Sequence, residues 1–156
     1  MKELSTGEVV NVESMTPRIK EALEGLDPMG LIEEIRSDAR TFFRGLLLTI
    51  GMMGFGRVRV ISTVRTLREQ QAIYGCGRSI AECRAAGVPG EFSSPKVGVR
   101  TWCLPEDSKH VKRMAMDIDL SGYPNSALEL LGHVARSFKC TWGGAWKVKD
   151  YGHFEL

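Results

Sequence analysis

Between Leu31 and Ile50 apolar residues recur at helical spacing, through Leu31, Ile32, Ile35, Ala39, Phe42, Phe43, Leu46, Leu47 and Ile50, with Glu33, Glu34, Arg36 and Arg40 falling between them. Gly51, Gly54 and Gly56 then interrupt the run, and Arg57-Val58-Arg59-Val60-Ile61-Ser62 alternates as a half-buried strand does. This change of period, from helix to strand, is the strongest constraint on the fold. It predicts one long core-facing helix followed by a half-buried strand.

The segments on either side fill in the order of elements. Met15 to Gly25 opens with Thr16-Pro17, an N-cap followed by proline at the first helical position, and places Ile19, Ala22, Leu23 and Leu26 on one face. Leu67 to Tyr74 is expected to be helical, a turn follows at Gly75 to Ser79, and a short helix runs near Ile80 to Ala86. Gly87 to Pro105 reads as a long irregular segment, the kind that carries binding function in compact domains. Met116-Asp117-Ile118-Asp119-Leu120 alternates apolar with acidic, so it is a strand whose acidic face can line a cleft. A helix with Leu128, Leu130, Leu131, Val134 and Phe138 follows from Asn125-Ser126, and Gly143-Gly144 precedes a last segment, Trp146 to Leu156. Helices first, then strands interspersed with a helix, indicate α+β rather than repeated βαβ units.

At 156 residues, a single domain with one core is expected, helical over 1–56 and carrying its chemistry over 57–156. The 43% hydrophobic and 26% charged residues are ordinary globular values and exclude a largely disordered or collagen-like chain. A formal charge of +2 gives no support to nucleic acid as a partner. The run from Leu46 to Phe55 is too short to span a membrane, which takes about 20 residues, and Met1 to Glu8 is charged where a secretory signal would be apolar. Cytoplasmic synthesis is therefore expected. Cys76, Cys83, Cys103 and Cys140 contain no C-x-x-C pair; free thiols, or a zinc site built from all four, both fit that spacing.

Only three histidines are available, His110, His133 and His153. Asp117 follows His110 by seven positions, and Asp150 precedes His153 by three. A catalytic zinc takes three protein ligands and leaves a position for water, so His110, Asp117 and His153 suffice, with Asp150 free to take a proton. By spacing alone the alternative is chance pairing, with Asp150 to His153 a solvated loop. His133, beside Gly132 on the polar side of its helix, reads as a surface residue.

The residues around these positions resemble a family. Ser108-Lys109-His110-Val111-Lys112-Arg113-Met114-Ala115-Met116-Asp117 is similar to the S-x-H-x-x-G-x-A-x-D signature of zinc peptidases that include D-alanyl-D-alanine carboxypeptidases, VanX-type dipeptidases and phage L-alanyl-D-glutamate endopeptidases. Ile61 to Thr66, Glu69 to Tyr74 and Gly77-Arg78-Ser79 resemble the family's S-G-x-R-T, E-Q-Q-x-L-Y and G-R-T stretches. Trp142-Gly143-Gly144-Ala145-Trp146 and Asp150-Tyr151-Gly152-His153-Phe154-Glu155-Leu156 resemble the G-G-x-W and D-x-x-H-F-E-L ending of the phage endolysin branch.

The resemblance implies a small antiparallel sheet flanked by helices, of the Hedgehog and DD-peptidase type. It implies Zn²⁺ on His110, Asp117 and His153, Asp150 as general base, and Arg65 on the scissile carbonyl or its oxyanion, with a strand-end ion pair to Glu69 as Arg65's alternative. Ser108 is expected either to bind substrate or to close a turn, Trp146 to wall the groove or to pack, and Asp119 to orient a ligand histidine or to stand exposed. Two positions depart from the pattern: Thr63 and Arg113 stand where the family has glycine. Arg113 would then put a cation near the metal and favour an acidic substrate. The segment Ile80 to Cys103 exceeds what the family needs and is expected to shape the groove.

The function implied is a monomeric peptidoglycan endopeptidase of the endolysin kind, cutting the L-alanyl-D-glutamate bond of stem peptides. Such a lysin is made in the host cytoplasm and reaches the periplasm and wall through a holin-type permeabilising partner. The alternatives are a D-alanyl-D-alanine carboxypeptidase or dipeptidase, and a non-catalytic zinc-containing wall-binding domain.

Overall fold

The computed structural model describes residues 16–156, so the reading of Met1 to Glu8 as charged and unlike a signal lies outside the described residues. Helix α1 spans Pro17–Leu26, with proline in its first turn and Thr16 extended before it. Its burial is narrower than the apolar spacing predicts: Leu26 is buried whereas Ile19 stands exposed.

The single long helix expected from Leu31 to Ile50 is broken in two. Leu31–Glu34 forms a 3₁₀ turn, Ile35 is extended, and helix α2 begins only at Arg40, running Arg40–Met52. The cause is local. The Asp27 carboxylate accepts hydrogen bonds from the backbone N–H groups of Leu31 and Ile32 at 2.9 and 3.0 Å, starting a turn there. Arg36 N–H then donates to the Arg113 carbonyl at 3.1 Å instead of to a helical neighbour. Ile32, Ile35 and Ala39 still reach the same core as Phe43, Leu46, Leu47 and Ile50, which is why their spacing mimics one helix. Beyond α2, Gly54 takes φ +101°, a conformation strained for any residue with a Cβ, and the chain turns into the sheet.

Four short strands, β1 (Arg59–Ser62), β2 (Ala115–Asp119), β3 (Thr141–Trp142) and β4 (His153–Glu155), form an antiparallel sheet in the order β1-β2-β4-β3. Between β1 and β2 come α3 (Leu67–Gly75), α4 (Ile80–Ala85) and the irregular segment; between β2 and β3 come α5 (Asn125–Leu128) and α6 (Leu130–Phe138). The result is the α+β fold the element order predicts. No helix among the described residues is long and apolar enough to cross a membrane.

Alternation divides the sheet into two faces. Met116, Ile118 and Phe154 point into a core shared with Phe43, Leu46 and Leu47 of α2 and Leu131 and Val134 of α6. The intervening Asp117, His153 and Glu155 therefore point to the opposite face. Tyr74, Cys83 and Val88 make a smaller cluster under α3 and α4.

Phe43 is fully buried at the junction of α2 with this core. Phe43→Ala is expected to cost about 3–5 kcal/mol, read as a fall in the denaturant midpoint; a loss well under 1 kcal/mol would mean that α2 is not part of the core.

Candidate metal centre

Strand register builds the centre. In the β2–β4 ladder Asp117 lies directly opposite His153, which brings carboxylate and imidazole together on one face without any loop having to fold over. His110 arrives from the tight turn before β2, which is closed by Lys112 N–H on the Ser108 carbonyl and Met114 N–H on the Lys109 carbonyl, at 3.0 and 2.8 Å. Asp117 Oδ2 lies 3.0 Å from His110 Nε2 and Asp117 Oδ1 lies 2.8 Å from His153 Nδ1.

The far nitrogen of each ring is also held. Nδ1 of His110 lies 2.7 Å from the carbonyl of Thr63, which can only accept, so Nδ1 carries the proton and donates. With Nδ1 engaged in this way, Nε2 is the nitrogen that faces the centre. Nε2 of His153 lies 2.9 Å from Glu155 Oε2, two residues along the same strand face. Ring orientation is thus fixed from behind on both sides, as it is for histidines that ligate metals.

Burial sets the electrostatics. Desolvation pushes the Asp117 carboxyl up, but its hydrogen bonds and charge interactions with His110 and His153 outweigh this and hold it well below the usual carboxylate range. Desolvation pushes His153 down, yet hydrogen bonds and charges from Asp117 and Glu155 raise it to about 9. At Asp150, desolvation by the pocket walls and the negative charge of Asp117 both push the carboxyl up.

These side chains open on a pocket of about 260 Å³ whose lining includes Arg65, Ser108, Trp146 and Asp150. All seven candidate site residues from the sequence therefore meet in one place. Asp150 makes no side-chain ion pair among the described residues, and the backbone N–H of Gly152 donates towards its carboxylate. It is positioned by its backbone, with Asp150 N–H donating to the Gly143 carbonyl at 3.0 Å. A Cβ at Gly143 would come within 2.4 Å of the Asp150 carbonyl oxygen, so the glycine is what lets these two segments touch.

Arg65 does not pair with Glu69, whose carboxylate instead completes a capping box with Thr66 at the start of α3. Its guanidinium reaches Asp117 Oδ2 at 3.0 Å and Gln70 Oε1 at 3.2 Å. Ile61 is an extra residue in β1, since Val60 pairs with Ile118 and Ser62 with Asp117. Such a bulge turns the following chain, bringing the Thr63 carbonyl and Arg65 to the centre. Ser108 is buried and both closes its turn and lines the pocket. The Trp146 ring is 40% exposed and 4.9 Å from the His153 ring, a wall rather than core packing.

One expectation is corrected and two open alternatives are decided. Arg113 is not near the centre: it adopts φ +62°, the left-handed conformation that explains why a glycine is expected there, and its Nε donates to the Glu34 carbonyl at 2.8 Å. Asp119 does not orient a histidine, because its carboxylate accepts from Ser121 N–H and Oγ–H at 2.9 and 2.5 Å on the exposed end of β2. The cysteines are free thiols and form no four-thiol site. Conversely, the sequence assigns no role to Glu155 or to the Thr63 carbonyl; the strand spacing of His153 and Glu155 was the available signal for the first, and nothing in sequence marks a backbone oxygen.

The donor set fits a metal such as zinc. Among the described residues, His110, Asp117 and His153 each offer a ligand atom, and all three atoms lie within 4.8 Å of one another. Two imidazoles and a carboxylate, with their rings anchored and a pocket open beside them, form the three-ligand arrangement that leaves a coordination position free.

Glu155→Ala is expected to weaken zinc affinity about 10- to 100-fold in a chelator competition, since His153 loses its anchor. Asp119→Ala and Arg113→Gly are expected to match the parent protein. Unchanged affinity in the Glu155 variant would remove Glu155 from the centre.

Comparison with known proteins supports this chemistry. No curated protein matches the chain significantly. Residues 104–156, about a third of the chain, match the model of a family described as D-alanyl-D-alanine carboxypeptidase. His110, Asp117, Asp150 and His153 all fall within the matched residues, and Arg65 outside them. The similarity supports a hydrolase of the metallopeptidase class.

Proposed function

We propose that the chain is a zinc-dependent peptidoglycan endopeptidase of the endolysin kind, hydrolysing the L-alanyl-D-glutamate bond of stem peptides. The observation that carries this reading is the pairing of the His110, Asp117 and His153 donors with a free carboxylate, Asp150, on the same pocket. A wall-binding domain with structural zinc has no use for such a carboxylate.

Zinc held by His110, Asp117 and His153 supplies a Lewis acid for the scissile carbonyl and acidifies water to a pKa of about 7. The protein's own groups do the rest. Asp150 takes the proton from the attacking water on its carboxylate and later delivers it to the departing amine; its upward-shifted pKa suits the second step as well as the first. Arg65 keeps its charge throughout and faces the pocket, where it stabilises negative charge growing on the carbonyl oxygen. Its contact with Asp117 fixes its direction before substrate arrives. Trp146 covers one side of the substrate backbone and excludes water from His153.

The pocket continues past Trp146 into a second groove, so a chain extending beyond the cleaved bond is accommodated. This favours an endopeptidase. The description of the matched family favours a second reading, a carboxypeptidase releasing terminal D-alanine. In the first reading the protein is a monomer made in the host cytoplasm that acts on the wall in the periplasm once a holin-type partner has permeabilised the membrane.

Zinc-loaded protein incubated with Gram-negative peptidoglycan should release fragments with new N-terminal D-glutamate, identified by mass spectrometry. Asp150→Asn should lose about 10²–10⁴-fold in rate while keeping its zinc. Released D-alanine would move the assignment to the carboxypeptidase, and absence of any cleavage by zinc-loaded protein would overturn both.

A further inference from the structure

Outside the metal pocket runs a larger groove of about 620 Å³, between residues 99–103 and 146–150. The two spaces share Arg100, Thr101, Cys103, Trp146 and Asp150, so the groove is an extension of the pocket. Its volume falls in the range of about 300–1,000 Å³ usual for ligand sites, whereas the metal pocket alone falls below it. One wall, 99–103, lies just outside the residues that match the family and belongs to the segment that the sequence marks as longer than the family needs.

The lining combines two features. Trp102 and Val148 are 75% and 70% exposed, and with Trp146 they give the groove broad apolar sides. Arg100, Lys147 and Lys149 give it positive charge, against one lining acid, Asp150. Lys149 is engaged with the Gly144 carbonyl at 2.8 Å. Arg100 and Lys147 have no side-chain hydrogen bond or ion pair among the described residues. Exposed tryptophans beside unengaged cations suit an extended ligand with apolar parts and negative charge.

The wall is built to stay in place. The buried Arg78 donates to the Thr101 carbonyl at 2.7 Å and also to the Tyr74 carbonyl, tying the loop to α3. The same guanidinium lies 5.6 Å from the centre of the Trp102 ring. An exposed tryptophan on a loop anchored by a buried arginine is a fixed surface.

We propose that this groove binds the part of the peptide substrate beyond the scissile bond, and that Arg100 and Lys147 read a free carboxylate there. This rests on the endopeptidase reading. It assigns preference for acidic substrate to Arg100 and Lys147, the position that Arg113 does not occupy.

The test uses two stem peptides, one with free carboxylates beyond the alanyl-glutamate bond and one with carboxamides there, titrated against the full chain while tryptophan fluorescence is followed. The carboxylate peptide should bind about tenfold more tightly at low salt, and the margin should shrink as salt rises. In Arg100→Gln/Lys147→Gln the two peptides should bind alike; Trp102→Ala should weaken both. Equal binding by the parent protein, or a preference that survives the double variant, overturns the proposal. Cleavage is scored in the same series. Equal binding with normal cleavage removes the groove's role and leaves the endopeptidase standing, while selective binding with no cleavage removes the endopeptidase and leaves the groove.

Discussion

A half-buried carboxylate, Asp117, held between two imidazoles and a guanidinium, is the interaction around which the active face is organised. It is contacted on three sides, and each contact is supplied by a different part of the chain. His153 comes from the neighbouring strand, His110 from the preceding turn, and Arg65 from beyond a bulge in β1. Removing any partner leaves negative charge in a partly desolvated place, which is costly, whereas a divalent cation among the same groups is favoured. The same arrangement thus stabilises the metal-free fold and prepares it for metal.

Precision at this centre depends on the packing behind it. Asp117 sits between Met116 and Ile118, and His153 beside Phe154, all three of which are buried against α2 and α6. A slip of one residue in the β2–β4 register would exchange the two faces, burying the acid and exposing the core. The hydrophobic core therefore fixes the distance between carboxylate and imidazole to within hydrogen-bonding range. Glu155, one turn of the pleat beyond His153, then holds the ring from behind.

What the sequence revealed followed from local rules. The proline that opens α1, the helices expected over Leu67 to Tyr74 and near Ile80 to Ala86, and the alternation of β2 are all short-range patterns, and each appears where expected. The metal donors were legible for a different reason: three histidines leave few combinations, and motif resemblance selected one. The errors came from tertiary competition. Periodicity over Leu31 to Ile50 could not show that the Asp27 carboxylate and the Arg113 carbonyl would claim backbone N–H groups at its start. Arg113 was misplaced because the sequence shows a missing glycine but not that the requirement is a positive φ. The groove along 99–103 depends on Arg78 reaching across 23 residues to Thr101, a contact that no spacing rule announces.

The central claim is that His110, Asp117 and His153 together bind zinc. X-ray absorption at the zinc edge of the loaded protein tests it without reference to any substrate. The account predicts a shell of nitrogen and oxygen at about 2.0–2.2 Å with the scattering of two imidazoles and no sulfur. Sulfur at about 2.3 Å would place zinc on the cysteines instead and contradict it.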